Sequence, residues 1–371
     1  MITISLCMIV KNEEEVLERC LASAAGVADE TIVVDTGSTD GTKQSARRSG
    51  AKVFDFAWTD DFAAARNYSF SKASCDYLLW LDADDVLPEQ TRQGLILLRE
   101  KLDPRVDMVL LPYHVAFDAA DRPTFVYYRE RLMRREAGFR WEGEVHEVIA
   151  PAGIRLELPL PVEHRKLKPS EPGRNLRIFE GLLRKGRELT PRQQLYYARE
   201  LVGAGRDKEA AAAFARFLDD GRGWVEDNIG ACLELAACRE RLGNREEALA
   251  DVFRSFVFDD PRAEACCAAG DILLRSQSWT RAAYWYRLAL SCRAPESRLA
   301  FYRPDFASFY PLLQLCVCYD RLGDRETAES YHRRARALKP EDPAVQYNER
   351  YFASLHETEQ ESPCKDRDEP V

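Results

Sequence analysis

An apolar run, Leu78-Leu79-Trp80-Leu81, ends abruptly in Asp82-Ala83-Asp84-Asp85. A buried strand of this kind delivers its carboxylates to the C-terminal edge of a sheet, where α/β proteins bind ligands. Two carboxylates one residue apart at such an edge suit a divalent cation, and a cation there suits a diphosphate. The plain alternative is a polar turn after a strand. Two further junctions bear on the choice. Met8-Ile9-Val10-Lys11-Asn12-Glu13 and Val33-Val34-Asp35-Thr36-Gly37-Ser38-Thr39-Asp40-Gly41 also run from apolar strand to polar loop. Parallel strands share one C-terminal edge, so both loops are expected beside Asp82 and Asp84. Asp35 can there accept hydrogen bonds from a uracil or a ribose. Taken alone it reads as a helix cap, as do Asn12 and Glu13.

Two later segments carry more chemistry. Trp58-Thr59-Asp60-Asp61-Phe62-Ala63-Ala64-Ala65-Arg66-Asn67 opens a helix with acidic residues at its N-terminus. Arg66 and Asn67 follow one turn on, able to face the ligand edge. Phe139-Arg140-Trp141-Glu142-Gly143-Glu144-Val145-His146-Glu147 gathers Trp141, His146 and Glu147 after a strand. A His-Glu pair can act as base and orienter.

The elements that must position these residues alternate. Strands are expected over 2–10, 30–35, 51–56, 77–81, 107–113 and 129–134, with helices over 14–25 and 62–73 among them. The order βαβαβαβ implies a mostly parallel sheet covered on both faces. Residues 166–190 change character. Lys166, Lys168, Pro169, Pro172 and Gly173 mark a linker, followed by one helix over 175–186.

From residue 192 the chain is helical and repetitive. Arg241-Leu242-Gly243-Asn244-Arg245-Glu246-Glu247-Ala248 recurs as Arg321-Leu322-Gly323-Asp324-Arg325-Glu326-Thr327-Ala328. Weaker copies begin at Gly205 and Ser276. The copies lie about 34 to 46 residues apart, bracketing the tetratricopeptide period. Tyr284, Trp285, Tyr319 and Tyr331 are expected to fill the gaps between paired helices. The tail from 357 to 371 is charged and expected to be disordered.

Composition excludes several classes. The 371 residues are 46% hydrophobic and 31% charged, enough apolar content for soluble cores in two domains. A net charge of -9 argues against a nucleic-acid binder. No stretch reaches the roughly 18 apolar residues of a membrane span. The N-terminal run lacks a basic n-region and reads as a core strand rather than a signal peptide. Eleven cysteines lie scattered through apolar patterns without metal-type pairing, which favours buried free thiols in a reducing cytoplasm.

The three loop motifs together resemble the family 2 glycosyltransferases. The resemblance covers about the first 165 residues and implies a GT-A α/β domain, here followed by an all-α tetratricopeptide-like domain. The implied division is a transferase domain over 1–168, a linker and connecting helix over 169–191, repeats over 192–345, and a helix end and tail over 346–371. By the same resemblance Val10, Asn12, Glu13, Asp35, Arg66, Asn67, Asp82, Ala83 and Trp141 would bind the nucleotide sugar. Asp84 would bind the metal, and His164 lies where the GT-A fold often supplies a further ligand. Carboxylate and imidazole together suit Mn²⁺ or Mg²⁺.

The W-x-x-D-F-x-x-A-R-N and G-x-V-H-E segments, with repeats after them, are similar to the sublancin S-glycosyltransferase group. This implies sugar transfer from a nucleotide diphosphate, a uridine one, with inversion at the anomeric carbon. Glu147 or His146 is then the candidate base. Stacked repeats favour an extended peptide or protein acceptor, with cysteine, serine or threonine as the atom's source. The repeats equally suit pairing of two copies of the chain. In that case the acceptor is a cell-surface glycan or a lipid-linked sugar. A repeat scaffold without activity is the third reading.

Overall fold

The computed structural model describes residues 1–118, 120–167, 171–294 and 302–360, with side chains through 356. Cα packing separates two compact units, dividing at Gly223. Lys168 and Pro169 of the expected linker, and the tail beyond 360, lie outside the described residues.

The first unit is built on one twisted sheet. Its strands are β1 (Ile4–Val10), β2 (Glu30–Asp35), β3 (Lys52–Asp55), β4 (Tyr77–Trp80), β5 (Asp85–Val86), β6 (Met108–Phe117), β7 (Pro123–Arg134), β8 (Arg155–Glu157) and β9 (Val162–His164). The order is β3-β2-β1-β4-β7-β6-β9-β5, with β8 on β6. Helices α1 (Glu14–Ser23), α2 (Thr42–Arg48), α3 (Phe62–Ser71) and α4 (Glu89–Lys101) cover it.

The near-continuous apolar run of β1 follows from burial on both faces. Ile4, Leu6, Met8 and Val10 pack with Val16, Leu17 and Cys20 of α1 and Leu95 of α4. Cys7 of the opposite face packs with Ile32, Val34, Leu78, Trp80 and Phe70 of α3. Parallel register sets Cys7 beside Trp80 and Val10 beside Asp35. The loops after β1, β2 and β4 therefore leave from one edge.

The sheet is mixed, which corrects the expectation of a mostly parallel one. β1 to β4 are parallel, but β7 runs antiparallel to both β4 and β6, and β5 antiparallel to β9. The residues between β6 and β7 are too few for a crossover, so these strands form a hairpin. Both strands are longer than expected. Their outer halves carry polar and aromatic residues that obscure a simple alternation.

Glu30, at the start of β2, ties this unit together. Its carboxylate accepts from Ser5 Oγ (2.7 Å), Ser74 N (2.6 Å), Ser74 Oγ (2.8 Å) and Lys52 Nζ (2.7 Å). Burial acts to raise its pKa, but the Lys52, Ser5 and Ser74 donors outweigh it and bring it from 4.5 to about 2. A carboxylate depressed on folding stabilises above its unfolded value and loses that contribution as pH falls through the folded one. Glu30→Gln is therefore expected to flatten the loss of stability between about pH 4.5 and pH 2. Urea unfolding at pH 7 should show it about 1–3 kcal/mol less stable, as lost charge-assisted hydrogen bonds predict. An unchanged acid limb would refute the assignment.

The first unit also holds α5 (Arg174–Arg184), α6 (Pro191–Gly203) and α7 (Asp207–Asp220). The sequence places α6 and α7 in the repeats, and they do pair as a helical hairpin. In the second unit α8 (Val225–Arg241) pairs with α9 (Arg245–Arg254), α10 (Ala263–Arg275) with α11 (Trp279–Ala289), and α12 (Phe309–Arg321) with α13 (Arg325–Leu338). A last helix, α14 (Pro343–Gln360), runs four residues into the segment expected to be disordered.

The recurring Leu-Gly phrase has a conformational cause. Gly243 and Gly323 sit at φ +87° and +80°, closing their helices with backbone bonds from Gly243 N to Glu240 O and Asn244 N to Arg239 O, repeated at the later copy. Gln277 takes the same place at φ +56°, which explains the weak copy there. A Cβ at Gly270 would lie 2.7 Å from the Tyr286 ring, so α10 and α11 approach closely. Tyr319 and Tyr331 stack at 5.6 Å and Trp285 packs on Phe253, as gap fillers should. Tyr284 instead stays 55% exposed.

The described cysteines are all free, and most are buried. Among the described residues no helix is long and apolar enough to cross a membrane.

Candidate active site

Asp85 anchors the acidic turn from beneath. It is fully buried, with Oδ2 accepting from Arg131 Nη1 (2.9 Å) and from the Asp82 amide (3.0 Å). Its Oδ1 accepts from the Tyr113 hydroxyl at 2.8 Å. Arg131 is itself fully buried, its guanidinium 3.8 Å from the Trp80 ring centroid and 4.4 Å from that of Tyr113. With Asp85 held this way, Asp82 and Asp84 are free to face the site.

Asp82 and Asp84 differ in partner and in the direction of their pKa shifts. Asp82 Oδ1 accepts from Arg66 Nη2 at 2.7 Å. Burial alone would raise its pKa, but Arg66 and Arg131 bring it from 3.8 to about 2. Asp84 lies 3.4 Å from His164 Nδ1. Its pKa is raised by burial first, then by the like charges of Asp82 and Asp85, against the opposing effect of His164. β9 pairs with β5 so that His164 stands opposite Asp85. Burial lowers the His164 pKa, but Asp85, Asp84 and Asp82 reverse the sign and raise it. Tyr113 Oη is 2.9 Å from His164 Nδ1, the ring atom that also faces Asp84 and Asp85, which fixes the ring.

Asp84, Asp85 and His164 each offer a ligand atom within 4.8 Å of the others. Around Trp80 the guanidiniums of Arg66, Arg129 and Arg131 are met by Asp82 and Glu147, by Glu130 and by Asp85. Asp84 instead faces His164. Carboxylate with imidazole fits a divalent ion such as Mn²⁺ or Mg²⁺.

The other two loops close over the same edge. Val10 O accepts from Thr36 N (2.9 Å) and Thr36 Oγ1 (3.1 Å). Asn12, in the left-handed region at φ +57°, accepts from Thr39 N at 2.8 Å, and its own amide donates to Ser38 Oγ at 2.9 Å. The Glu13 amide donates to Thr42 Oγ1 at 2.8 Å. Asp35 Oδ1 accepts from Gly37 N and Ser38 N, closing the turn after β2 rather than capping a helix. Its Oδ2 is buried with no hydrogen-bond partner.

On the opposite face of the sheet, Asp61 caps α3 by accepting from Ala64 N at 2.8 Å. This sets Arg66 between Asp82 and Glu147, whose Oε1 accepts from Arg66 Nε. The guanidinium lies 4.7 Å from the Trp141 ring centroid and 5.1 Å from that of Trp80. Asn67 uses both ends of its amide on Trp141, donating to its carbonyl (2.9 Å) and accepting from its N–H (3.0 Å). Trp141 is 3% exposed and packs edge-on against Trp80 at 4.9 Å, so it shapes the wall of the site. Ala83 is 5% exposed within the turn.

His146 and Glu147 do not form a base-and-orienter pair, which corrects the expectation. Glu147 faces Arg66, whereas His146 Nε2 lies 2.9 Å from Glu200 Oε1. A positive φ at His146 sends successive side chains to different neighbours. Sequence reasoning missed Glu200, Arg131 and Tyr113. Arg131 lies in the charged run Arg129-Glu130-Arg131, which gives no sequence signal of burial.

Residues 5–156 match the model of the family described as glycosyl transferase family 2. The first unit therefore carries, over residues 5–156, a domain that matches the glycosyl transferase family 2 model. A TPR repeat-containing protein of Synechococcus elongatus is 38% identical over 158 residues, 42% of this chain and 38% of that protein. The SPbeta prophage-derived glycosyltransferase SunS of Bacillus subtilis is 28% identical over 225 residues, 56% of this chain and 51% of its own length. An uncharacterized glycosyltransferase of Rickettsia typhi is 37% identical over 92 residues, 25% of this chain and 31% of that protein. The chain thus spans between about a third and about half of the length of these relatives.

Proposed function

We propose that this protein transfers a sugar from a uridine diphosphate donor to an acceptor, with a divalent cation in the site. The observation that carries the reading is the shared sheet edge. It sets Asp82, Asp84 and His164 beside the Asn12 and Asp35 loops, inside a family 2 domain. Asp84 and His164 are the residues that would hold the cation. A divalent ion held by them would supply positive charge to the leaving diphosphate.

The chain's own residues do the rest. The Asn12 and Asp35 loops hold the base and ribose. Arg66 keeps Asp82 ionised and oriented at the donor. The acceptor O–H or S–H attacks the anomeric carbon from the face opposite the diphosphate. The new bond forms as the carbon–oxygen bond to phosphate breaks, and the nucleoside diphosphate leaves with the electron pair. The acceptor proton goes to Glu147 or His146. Glu147 is the better placed, one arginine away from Asp82. A hydroxyl needs such a base more than a thiol does.

Paired repeats support a peptide or protein acceptor, because stacked helical pairs present an extended surface. The free thiols support a reducing cytoplasm.

The test is thermal stability against a panel of nucleoside diphosphates and their sugars, with and without Mn²⁺. Ligand at a hundredfold over its Kd adds about 2.7 kcal/mol. A manganese-dependent shift confined to uridine compounds is the expected result. No shift with any nucleotide overturns the reading.

A further inference from the structure

The loop that carries Glu147 is closed by a reciprocal backbone pair, Glu142 N to Val148 O at 2.9 Å and Val148 N to Glu142 O at 3.0 Å. Within it three consecutive side chains engage α5, α6 and the residues between them. Glu144 accepts from Arg187 Nη1 and Gln193 Nε2, each at 2.5 Å. Val145, 3% exposed, packs with Ile178, Phe179 and Leu182 of α5. His146 stacks on Tyr196 of α6, centroids 4.0 Å apart, and its Nε2 meets Glu200 at 2.9 Å. The next side chain, Glu147, instead meets Arg66 of α3.

The divergence occurs at His146, whose φ is +53°. A non-glycine residue holds that conformation only at a steric cost, so its surroundings must enforce it. Here Glu200, Tyr196 and a bond from Arg192 Nε to His146 O (3.3 Å) enforce it. Glu200 is in turn fixed by Asn175 Nδ2 of α5 at 2.9 Å. These partners come from residues 175–200, a stretch that reads in sequence as a linker and the start of the repeats.

We propose that His146 and Glu200 form a latch that sets Glu147 against Arg66, making α5 and α6 a positioning element of the transferase site. The proposal rests on the transferase reading above. Glu200 acts through His146 and Glu147 and touches no substrate, so it is a positioning residue. The motif residues Trp58, Phe62 and Val145 share the apolar cluster with α5 and α6, and the Phe62 amide donates to Glu144 O at 2.9 Å. They build the socket rather than contact the donor.

The test compares Glu200→Ala with Glu200→Gln in the full chain. Glutamine keeps an acceptor oxygen for His146 and Asn175, and alanine keeps none. Hydrogen exchange is followed in residues 142–148, together with hydrolysis of uridine diphosphate sugars in Mn²⁺. Glu200→Ala is expected to speed loop exchange and lower kcat, each at least about tenfold (about 1.4 kcal/mol), with donor KM within about twofold. Glu200→Gln should match wild type in all three. Should Glu200→Ala not fold, Asn175→Ala tests the same latch, since it removes the donor that fixes Glu200. Unchanged loop exchange with unchanged kcat overturns the latch alone. A loss that falls equally on KM, or that Glu200→Gln shares, also overturns it. A wild type that hydrolyses no nucleotide sugar overturns the transferase reading and the positioning role with it.

Discussion

Asp84→Ala should abolish manganese-dependent turnover while leaving the fold in place. The side chain faces His164 at 3.4 Å, outside the Asp85 and Arg131 bonds that anchor the turn. Burial and the like charges of Asp82 and Asp85 disfavour its ionised form, which is why its pKa is raised. Removing it relieves that repulsion, so thermal stability should hold or rise slightly. The chemistry has no such substitute. A cation on the leaving diphosphate is worth several kcal/mol, and about 3–4 kcal/mol corresponds to roughly 10²–10³ in rate. Donor hydrolysis across a Mn²⁺ titration, with calorimetric donor binding, measures both effects. An Asp84→Ala protein that turns over at the wild-type rate would end the metal assignment. Asp85→Ala makes the contrast, because it strands the buried Arg131 and should unfold the domain.

Arg66→Leu is expected to cost stability and activity together. One guanidinium serves Asp82 through Nη2 and Glu147 through Nε, with two tryptophan rings around it. Removing it leaves two carboxylates without their cation. Breaking a buried pair costs about 3–5 kcal/mol. The lower end applies here, because the Asp82 side chain is 32% exposed. For a unit of this size, about 3 kcal/mol lowers Tm by roughly 6–12 °C. Lysine should not rescue it, since its donors all sit on one nitrogen, whereas Nε and Nη2 are separate atoms of a planar fork that spans both carboxylates. Adding Glu147→Gln to Arg66→Leu removes one of the stranded charges and should recover part of the Tm. A double mutant no more stable than Arg66→Leu would show that the pair is not the source of the loss. The acid response should also weaken. Wild-type Asp82 is depressed to about 2, so its contribution is present above 3.8 and lost as pH falls through 2. Without Arg66, only Arg131 and His164 oppose burial, and the depression shrinks.

The elements around the site were legible wherever burial imposes a pattern. β1, β2 and β4 are enclosed on both faces, so they read as uninterrupted apolar runs ending in polar loops. The outer part of the sheet was not legible in that way. β5 has two residues and β9 three, too few for any period. β7 carries Arg129, Glu130 and Arg131 in its interior, charges that read as surface until their partners are known.

The three loop motifs, the parallel edge they share and the repeating helical pairs are readable from the residues alone. Each of these rests on local chemistry: apolar strands ending in acids, and glycines at positive φ closing helices. Folding alone divides the charges. It brought His164 to Asp84 through the β5–β9 pairing, turned Asp85 inward onto Arg131, and gave Glu147 to Arg66 while His146 went to Glu200. A half-buried charge takes whichever partner lies in reach where water is scarce, and residues far apart in sequence come within reach only once the chain has folded.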